Sequence, residues 1–262
     1  MEKNNKTNDS LIIEIKRKRE LSGLSSKIIE EALENYMIKK RIDKKLLSGF
    51  SKKDRKIIMK EIRSELRLFH GRFQASQKSR EKFLEENKID DLLKTHSSTK
   101  ERMQFYPELK SIFKKLNIKS VLDLGCGLNP LALADTEIEY RASDINEVDI
   151  LLVKKFFDKN KIKGDAFFCD LRKINEAALP ETDICLLFKL LDILEKKGHK
   201  LARGIIEKIN CKYILASFST KKLSGKPMNK PKRIWFENLL GKLNYRYEII
   251  ETDNEIFYLI KK

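Results

Sequence analysis

Apolar and polar residues follow two different rhythms along this chain. Up to Phe69 the apolar positions recur at helical spacing: Leu11, Ile12 and Ile15; then Ile28, Ile29, Leu33, Tyr36 and Met37; then Ile57, Ile58, Ile62, Leu66 and Phe69. The pattern predicts a small helical domain whose helices each bury one stripe. Ser25 or Ser26 is placed to cap the second helix and Ser51 the third. Gly23, Gly49 and Gly71 punctuate the segment, and residues 1 to 10, without an apolar stripe, are expected to be disordered. From residue 110 short apolar runs take over. Candidate strands 120–124, 139–143, 165–169, 183–188, 212–218, 246–251 and 255–260 alternate mostly with helical stretches, which implies a largely parallel α/β sheet. The last two runs are separated by a few residues including Asp253 and Asn254, and predict an antiparallel hairpin. The division is placed at residue 98, with a helical domain over 1–98 and an α/β domain over 99–262.

Charge sharpens this picture. The 262 residues hold 56 Lys and Arg against 39 Asp and Glu, a formal net charge of +17. Such an excess favours a polyanionic partner, because neutralising phosphates releases condensed counterions. Lys52, Lys53, Lys56, Lys60, Arg63 and Arg67 form a dense basic series, and Lys56, Lys60, Arg63 and Arg67 share one helical face, which suits phosphate tracking. A second basic stretch, Lys221, Lys222, Lys226, Lys230, Lys232 and Arg233, contains no acid and is read as an RNA contact. The four cysteines form no Cys-x-x-Cys pair and sit in or beside apolar runs, as reduced, buried thiols do. No apolar run has the length of a membrane span and the first residues lack a signal-peptide core, so a cytoplasmic monomer without metal or membrane attachment is expected.

The stretch from Ser120 to Pro130 carries the chemistry. Val121, Leu122 and Leu124 read as a buried strand, with Asp123, Gly125 and Gly127 at its end, where a parallel sheet places its ligand. The glycines let backbone approach a nucleotide-like cofactor closely. Pro130 stands where a dinucleotide motif has its third glycine, which favours S-adenosylmethionine (SAM) over nicotinamide. Asp144 ends the second strand, where an acid binds ribose hydroxyls, a role compatible with capping the next helix. After the third strand, Asp170 is placed to accept from an adenine amino group and Leu171 to cover the ring. Arg102 precedes the sheet and is placed to pair with the amino-acid carboxylate of SAM. The fourth strand lacks an Asn-Pro-Pro-Tyr motif, which disfavours methylation of an exocyclic amine. No Pro-Cys nucleophile is present, and His70 and His199 show no metal-ligand pattern.

Seven strands ending in a hairpin resemble the Rossmann-like fold of class I SAM-dependent methyltransferases. Three stretches narrow the resemblance: His96 to Met103, the Gly125 to Pro130 loop with its Asn129-Pro130 ending, and Ser217 to Gly225. In this order they resemble the 16S ribosomal RNA methyltransferases of aminoglycoside resistance, which modify guanine N7 in the decoding region of the small subunit. The resemblance spans roughly residues 95 to 240; the helical part shares only size, charge and helicity. It implies that His96, Ser97, Ser98 and Arg102 lie along the methionine end of SAM and Gly125 and Gly127 flank it. Asp144 then holds the ribose, and Asp170 and Leu171 the adenine, with Leu187 as a further contact; Asp123 belongs to the same loop. Met228 is implied to press on an extruded nucleotide, while Trp235, Phe105, Tyr106 and Phe218 are candidate stacking partners for it, each suited still better to the core. Two features depart from the family: Ser219 replaces a proline, and Pro227-Met228 stands where a Gly-Met pair is usual. A methyltransferase of tRNA or another RNA base, or a non-catalytic RNA-binding protein on a SAM-type fold, fits the same composition. The full set of Arg102, Asp123, Gly125, Asp144 and Asp170 argues for a working pocket.

Overall fold

The computed structural model describes residues 2–43, 50–71, 79–195, 198–221, 225–229 and 231–262. In chain order its elements are α1 (Glu2–Lys16), α2 (Ser26–Lys40), α3 (Lys52–Leu66), α4 (Arg80–Glu85), α5 (Ile89–Lys94), α6 (Ser97–Arg102) and α7 (Tyr106–Lys115). Then follow β1 (Ser120–Leu124), α8 (Pro130–Leu133), β2 (Glu139–Asp144), α9 (Glu147–Asn160), β3 (Gly164–Phe168), β4 (Thr182–Phe188), α10 (Leu191–Leu194) and α11 (Lys200–Lys208). The chain ends with β5 (Cys211–Ser219), α12 (Ile234–Lys242), β6 (Arg246–Glu251) and β7 (Glu255–Lys261).

All seven expected strands form one sheet in the order β3-β2-β1-β4-β5-β7-β6. Pairings from β3 to β5 are parallel, and β7 runs antiparallel to both β5 and β6. The central strands β1, β4 and β5 are mostly apolar runs because both faces are covered. Val121, Tyr140, Ala142, Ile184 and Leu186 pack on one side, and Leu122, Leu124, Cys185, Leu187 and Ala216 on the other. The winding direction reverses between β1 and β4, the place where such sheets leave a crevice at the carboxyl edge.

The three amphipathic stretches of the first half are helices, and their stripes close a separate core from Leu11 to Leu66. The helix α1 starts at Glu2, so residues 2 to 10 continue it rather than being disordered; it is anchored by the burial of Leu11, Ile12 and Ile15. Ser51 caps α3 through a reciprocal capping box with Asp54, whereas Ser25 occupies the cap position of α2 without a side-chain bond. Ile57, expected on the buried stripe, faces solvent, and Met59 takes the interior place. Leu84, Leu92 and Leu93 pack with the sheet, so residue 98 falls inside the sheet's own packing and the apolar core changes hands between Leu66 and Leu84. Among the described residues no helix is long and apolar enough to cross a membrane.

Candidate functional site

A cleft opens at the carboxyl ends of β1 to β4. Gly125, Cys126 and Gly127 follow β1, Asp144 ends β2, Cys169 to Arg172 follow β3, and Phe188 to Leu190 end β4; His96 and Ser98 close it from the start of α6. It encloses about 800 Å³, part of it open to solvent.

Asp144 organises the floor. One carboxylate oxygen accepts from the Gly127 amide at 2.9 Å and the other from the Asn146 amide at 2.9 Å. Asp144 is therefore not the helix cap; that is Asn146, whose side chain accepts from Val148 and Asp149 at the start of α9. Burial, and then the nearby Asp149, push the Asp144 carboxyl up to about 6. Gly127 is required sterically as well as conformationally. Its φ is +50, and a Cβ there would lie 2.8 Å from the His96 ring. Burial also holds His96 down to about 4, so its imidazole is neutral near pH 7. Just after β3, Asp170 caps the turn from Leu171 to Glu176 by accepting from the Arg172 amide at 3.0 Å, and Leu171 is buried against the cleft.

His96, Ser98, Gly125, Gly127, Asp144, Asp170 and Leu171 thus converge on one apolar-walled cleft, with Asp144 and Asp170 beyond the ends of the paired strands β2 and β3. These residues fit a nucleoside whose sugar meets Asp144 and whose base meets Asp170 and Leu171. Four other expected contacts lie elsewhere. Arg102 is 1% exposed and donates to Glu255 at 2.6 and 3.2 Å, to Asn129 at 2.7 Å and to Ser98 at 3.1 Å, so it braces the protein behind the cleft. Asp123 is fully buried and accepts from the Tyr140 hydroxyl at 2.8 Å; burial, despite that bond, pushes its carboxyl up to about 7. Leu187 points into the sheet's core, and Ser97 faces an adjoining surface groove.

The expected stacking residues are largely structural. Tyr106 is buried and donates to Asn129 at 2.8 Å, Phe105 packs on Phe257 at 4.7 Å, and Phe218 is fully buried. Trp235 is half-buried and stacks on His199 at 4.3 Å. Met228 is half-buried beside Arg233, its sulfur 3.6 Å from the guanidinium. That guanidinium is not an RNA contact: Arg233 is buried, pairs with Asp192 at 2.8 Å and donates to the Ser219 carbonyl at 2.9 Å. Lys226 and Lys232 are exposed, Lys221 donates to Asn254 at 2.6 Å, and Lys222 and Lys230 lie outside the described residues. On α3, Lys52, Lys53, Lys56 and Lys60 face solvent. Arg63 instead donates to the Glu14 carbonyl, and Arg67 pairs with Glu20 at 2.7 Å, so both tie α3 to neighbouring segments.

Several cleft residues escape a reading of the chain alone. Lys189 ends β4 in a left-handed conformation (φ 52), held by the Ser217 carbonyl and hydroxyl, with its ammonium 2.5 Å from Glu101 and 3.6 Å from Glu255. A strained non-glycine residue in a cleft points to function, but no local motif announces it. His70 and Asp149 also line the cleft; Asp149 pairs with Arg80 at 2.6 Å in the interior. Their partners lie too far along the chain for spacing to connect them.

Comparison with known proteins places the chain in a family. Residues 86–259 match the model of a ribosomal RNA methyltransferase family, FmrO. The 16S rRNA (guanine(1405)-N(7))-methyltransferase of Serratia marcescens is 33% identical over 182 residues, covering 66% of this chain and 70% of that protein. The enzyme of the same name from Micromonospora echinospora is 31% identical over 65% of this chain, which spans 64% of that protein's length. The one from Proteus mirabilis is 25% identical across 98% of this chain and 99% of its own. Among solved structures, the 16S rRNA methyltransferase RmtF in complex with S-adenosyl-L-homocysteine (SAH) superposes with a TM-score of 0.77 at 22% identity, covering 100% of this chain and 99% of that one. The 16S rRNA methylase ArmA is 27% identical with a TM-score of 0.57, covering 71% and 99%. With most of its length matched by the family's model and relatives above 30% identity, this chain belongs to the FmrO family of ribosomal RNA methyltransferases.

Proposed function

We propose that this protein methylates N7 of a guanine in the 16S rRNA of the small ribosomal subunit, using SAM, in the manner of aminoglycoside-resistance enzymes. We place this reaction in the cytoplasm, carried out by a monomer. The observation that carries the reading is the cleft itself. Gly127 and Asp144 are locked together where β1 and β2 end, and Asp170 and Leu171 follow the end of the neighbouring β3, in a chain whose relatives bear this activity in their names.

Bound SAM supplies an electrophilic methyl group on a sulfonium. Guanine N7 has a lone pair and no proton, so no side chain has to act as a general base. What the chain contributes is placement and an electrostatic setting that tolerates positive charge. Asp144, Asp149 and Asp170 line the cleft, and its cations are already paired, Lys189 with Glu101 and Glu255 and Arg172 with Asp170 and Glu31. Burial lowers both cleft histidines, His96 to about 4 and His70 below its usual range, so neither opposes a cation at neutral pH. N7 lies on the deep, narrow groove of A-form RNA, so the target base has to leave the helix before it reaches this edge of the sheet.

The test is incubation with isolated small subunits and labelled SAM, followed by mass-spectrometric mapping of the methyl group. A single modified guanine N7 in 16S rRNA is expected. Label appearing only in tRNA, or in no RNA at all, removes the proposal.

Two further outcomes follow. Cofactor affinity depends on the ionised form of Asp144, whose carboxylate accepts from ribose hydroxyls. Because its carboxyl titrates at about 6, SAH affinity should be full above that pH. Below it, affinity should fall about tenfold per pH unit. Calorimetry between pH 5 and 8 checks this; the Asp144→Asn protein should give a flat profile, and a flat wild-type profile would contradict the role. Second, ribosome docking is assigned to the helical part whose core runs from Leu11 to Leu66, through the exposed lysines of α3. Combined Lys56→Glu and Lys60→Glu should weaken small-subunit binding about tenfold or more at low salt and flatten its salt dependence by about two counterions. Unchanged binding across a salt series would move the docking face elsewhere.

A further inference from the structure

The helical part does more than sit beside the cleft. Its segment from Gly23 to Ser25 forms an antiparallel bridge with the residues just after Asp144. The Ser25 amide donates to the Ile145 carbonyl at 3.2 Å, and the Glu147 amide donates to the Gly23 carbonyl at 2.8 Å. The fit is close: a Cβ on Gly23 would lie 2.2 Å from the Asn146 side chain. This clamps the ribose end. A second contact reaches the adenine end. From α2, Glu31 accepts from the Arg172 guanidinium at 3.0 Å. The same guanidinium holds both oxygens of Asp170, at 2.9 Å to one and 2.7 Å to the other. Arg172 and Asp170 line the cleft and Glu31 does not.

We propose that Glu31 is a positioning residue of the cofactor pocket, acting through Arg172 to orient Asp170 for the adenine amino group. The proposal rests on the reading of Asp170 as the adenine acceptor. An arginine gripping one partly exposed carboxylate keeps its long side chain mobile, and the carboxylate moves with it. Anchoring the guanidinium at a second carboxylate fixes the plane of both groups. The fixed Asp170 then offers its remaining acceptor capacity in one direction, into the cleft. Positioning by a neighbour that never touches the ligand is how binding sites gain precision. The consequence is that the RNA-docking part of the chain completes the nucleoside pocket of the sheet.

The experiment is calorimetric SAH binding to the full-length protein, with melting temperature measured alongside. Glu31→Gln is nearly isosteric and partly exposed, so the fold and melting temperature should persist while SAH binds about five- to tenfold more weakly. In an Arg172→Ala background the same change should add nothing, because the relay is already cut. Lys173 also touches Glu31, at 3.5 Å, but does not line the cleft, so Lys173→Met should leave SAH affinity within twofold of wild type. Unchanged affinity in Glu31→Gln would overturn the proposal, as would an equal loss in the Arg172→Ala background or an equal loss in Lys173→Met. Asp170→Asn separates the two layers. If it binds SAH like wild type, the adenine reading fails. If it weakens binding while Glu31→Gln does not, only the relay fails.

Discussion

Asp144→Ala is expected to weaken SAH binding about 100-fold while small-subunit binding stays within twofold of wild type. Two effects combine. The variant loses a charged acceptor for the ribose hydroxyls, and a hydrogen bond to a charged group contributes about 1.5–3 kcal/mol. It also frees the Gly127 and Asn146 amides, which the two Asp144 oxygens now hold at 2.9 Å each. The glycine loop and the loop before α9 lose their common anchor, so the cleft loses its shape as well as a contact. Calorimetry for SAH and filter binding or sedimentation for the subunit separate the two affinities. An equal loss of both would mean that Asp144 supports the whole fold, and the ribose role would fall.

Arg102→Met should unfold at a much lower temperature than wild type. Arg102 and Glu255 form an ion pair at 2.6 Å with side chains 1% and 2% exposed. Removing one partner of a buried pair leaves the other charge uncompensated, which costs about 3–5 kcal/mol. For a chain of this size that is a fall in melting temperature of roughly 10 °C. Lys189 at 3.6 Å and the Ser217 hydroxyl remain beside Glu255 and place the loss toward the lower end. Replacing both partners, Arg102→Met with Glu255→Met, should recover part of the stability, because the buried charge is gone. If instead the single variant melts like wild type and only SAH affinity drops, Arg102 serves the cofactor directly, as the chain's order of motifs first suggests.

Arg102 illustrates where a linear reading stops. Its place before β1 invites pairing with a carboxylate, and a carboxylate it has, but one supplied by Glu255, 153 residues later at the start of β7. Arg233, Arg63 and Arg67 repeat the lesson. A basic series in sequence is a set of charges free to meet phosphates until folding brings Asp192, the Glu14 carbonyl and Glu20 within reach. Lysines on the same surface stay exposed, as at Lys56 and Lys60, because an ammonium on a flexible stem remains hydrated. Aromatic residues are ambiguous in sequence for a related reason. Tyr106 and Phe218 are as well suited to a core as to a base, and burial decided in favour of the core.

Patterns governed by neighbours in sequence were legible from the residues alone. These are the strands, the central ones as runs that bury on both faces; the amphipathic helices of the first half; the hairpin; and the Gly125 to Gly127 loop with Asp144 and Asp170 at successive strand ends. All follow from local periodicity and from the rule that ligands meet the carboxyl edge of a parallel sheet. Only the tertiary structure decided which charges are spent inside the molecule, that Lys189 and Asp149 wall the cleft, and that α2 reaches Arg172 to brace the adenine end. The physical reason is range. Backbone propensity acts over a few residues, whereas the partner of a buried charge is chosen by whichever opposite group the completed fold carries to within about 3 Å.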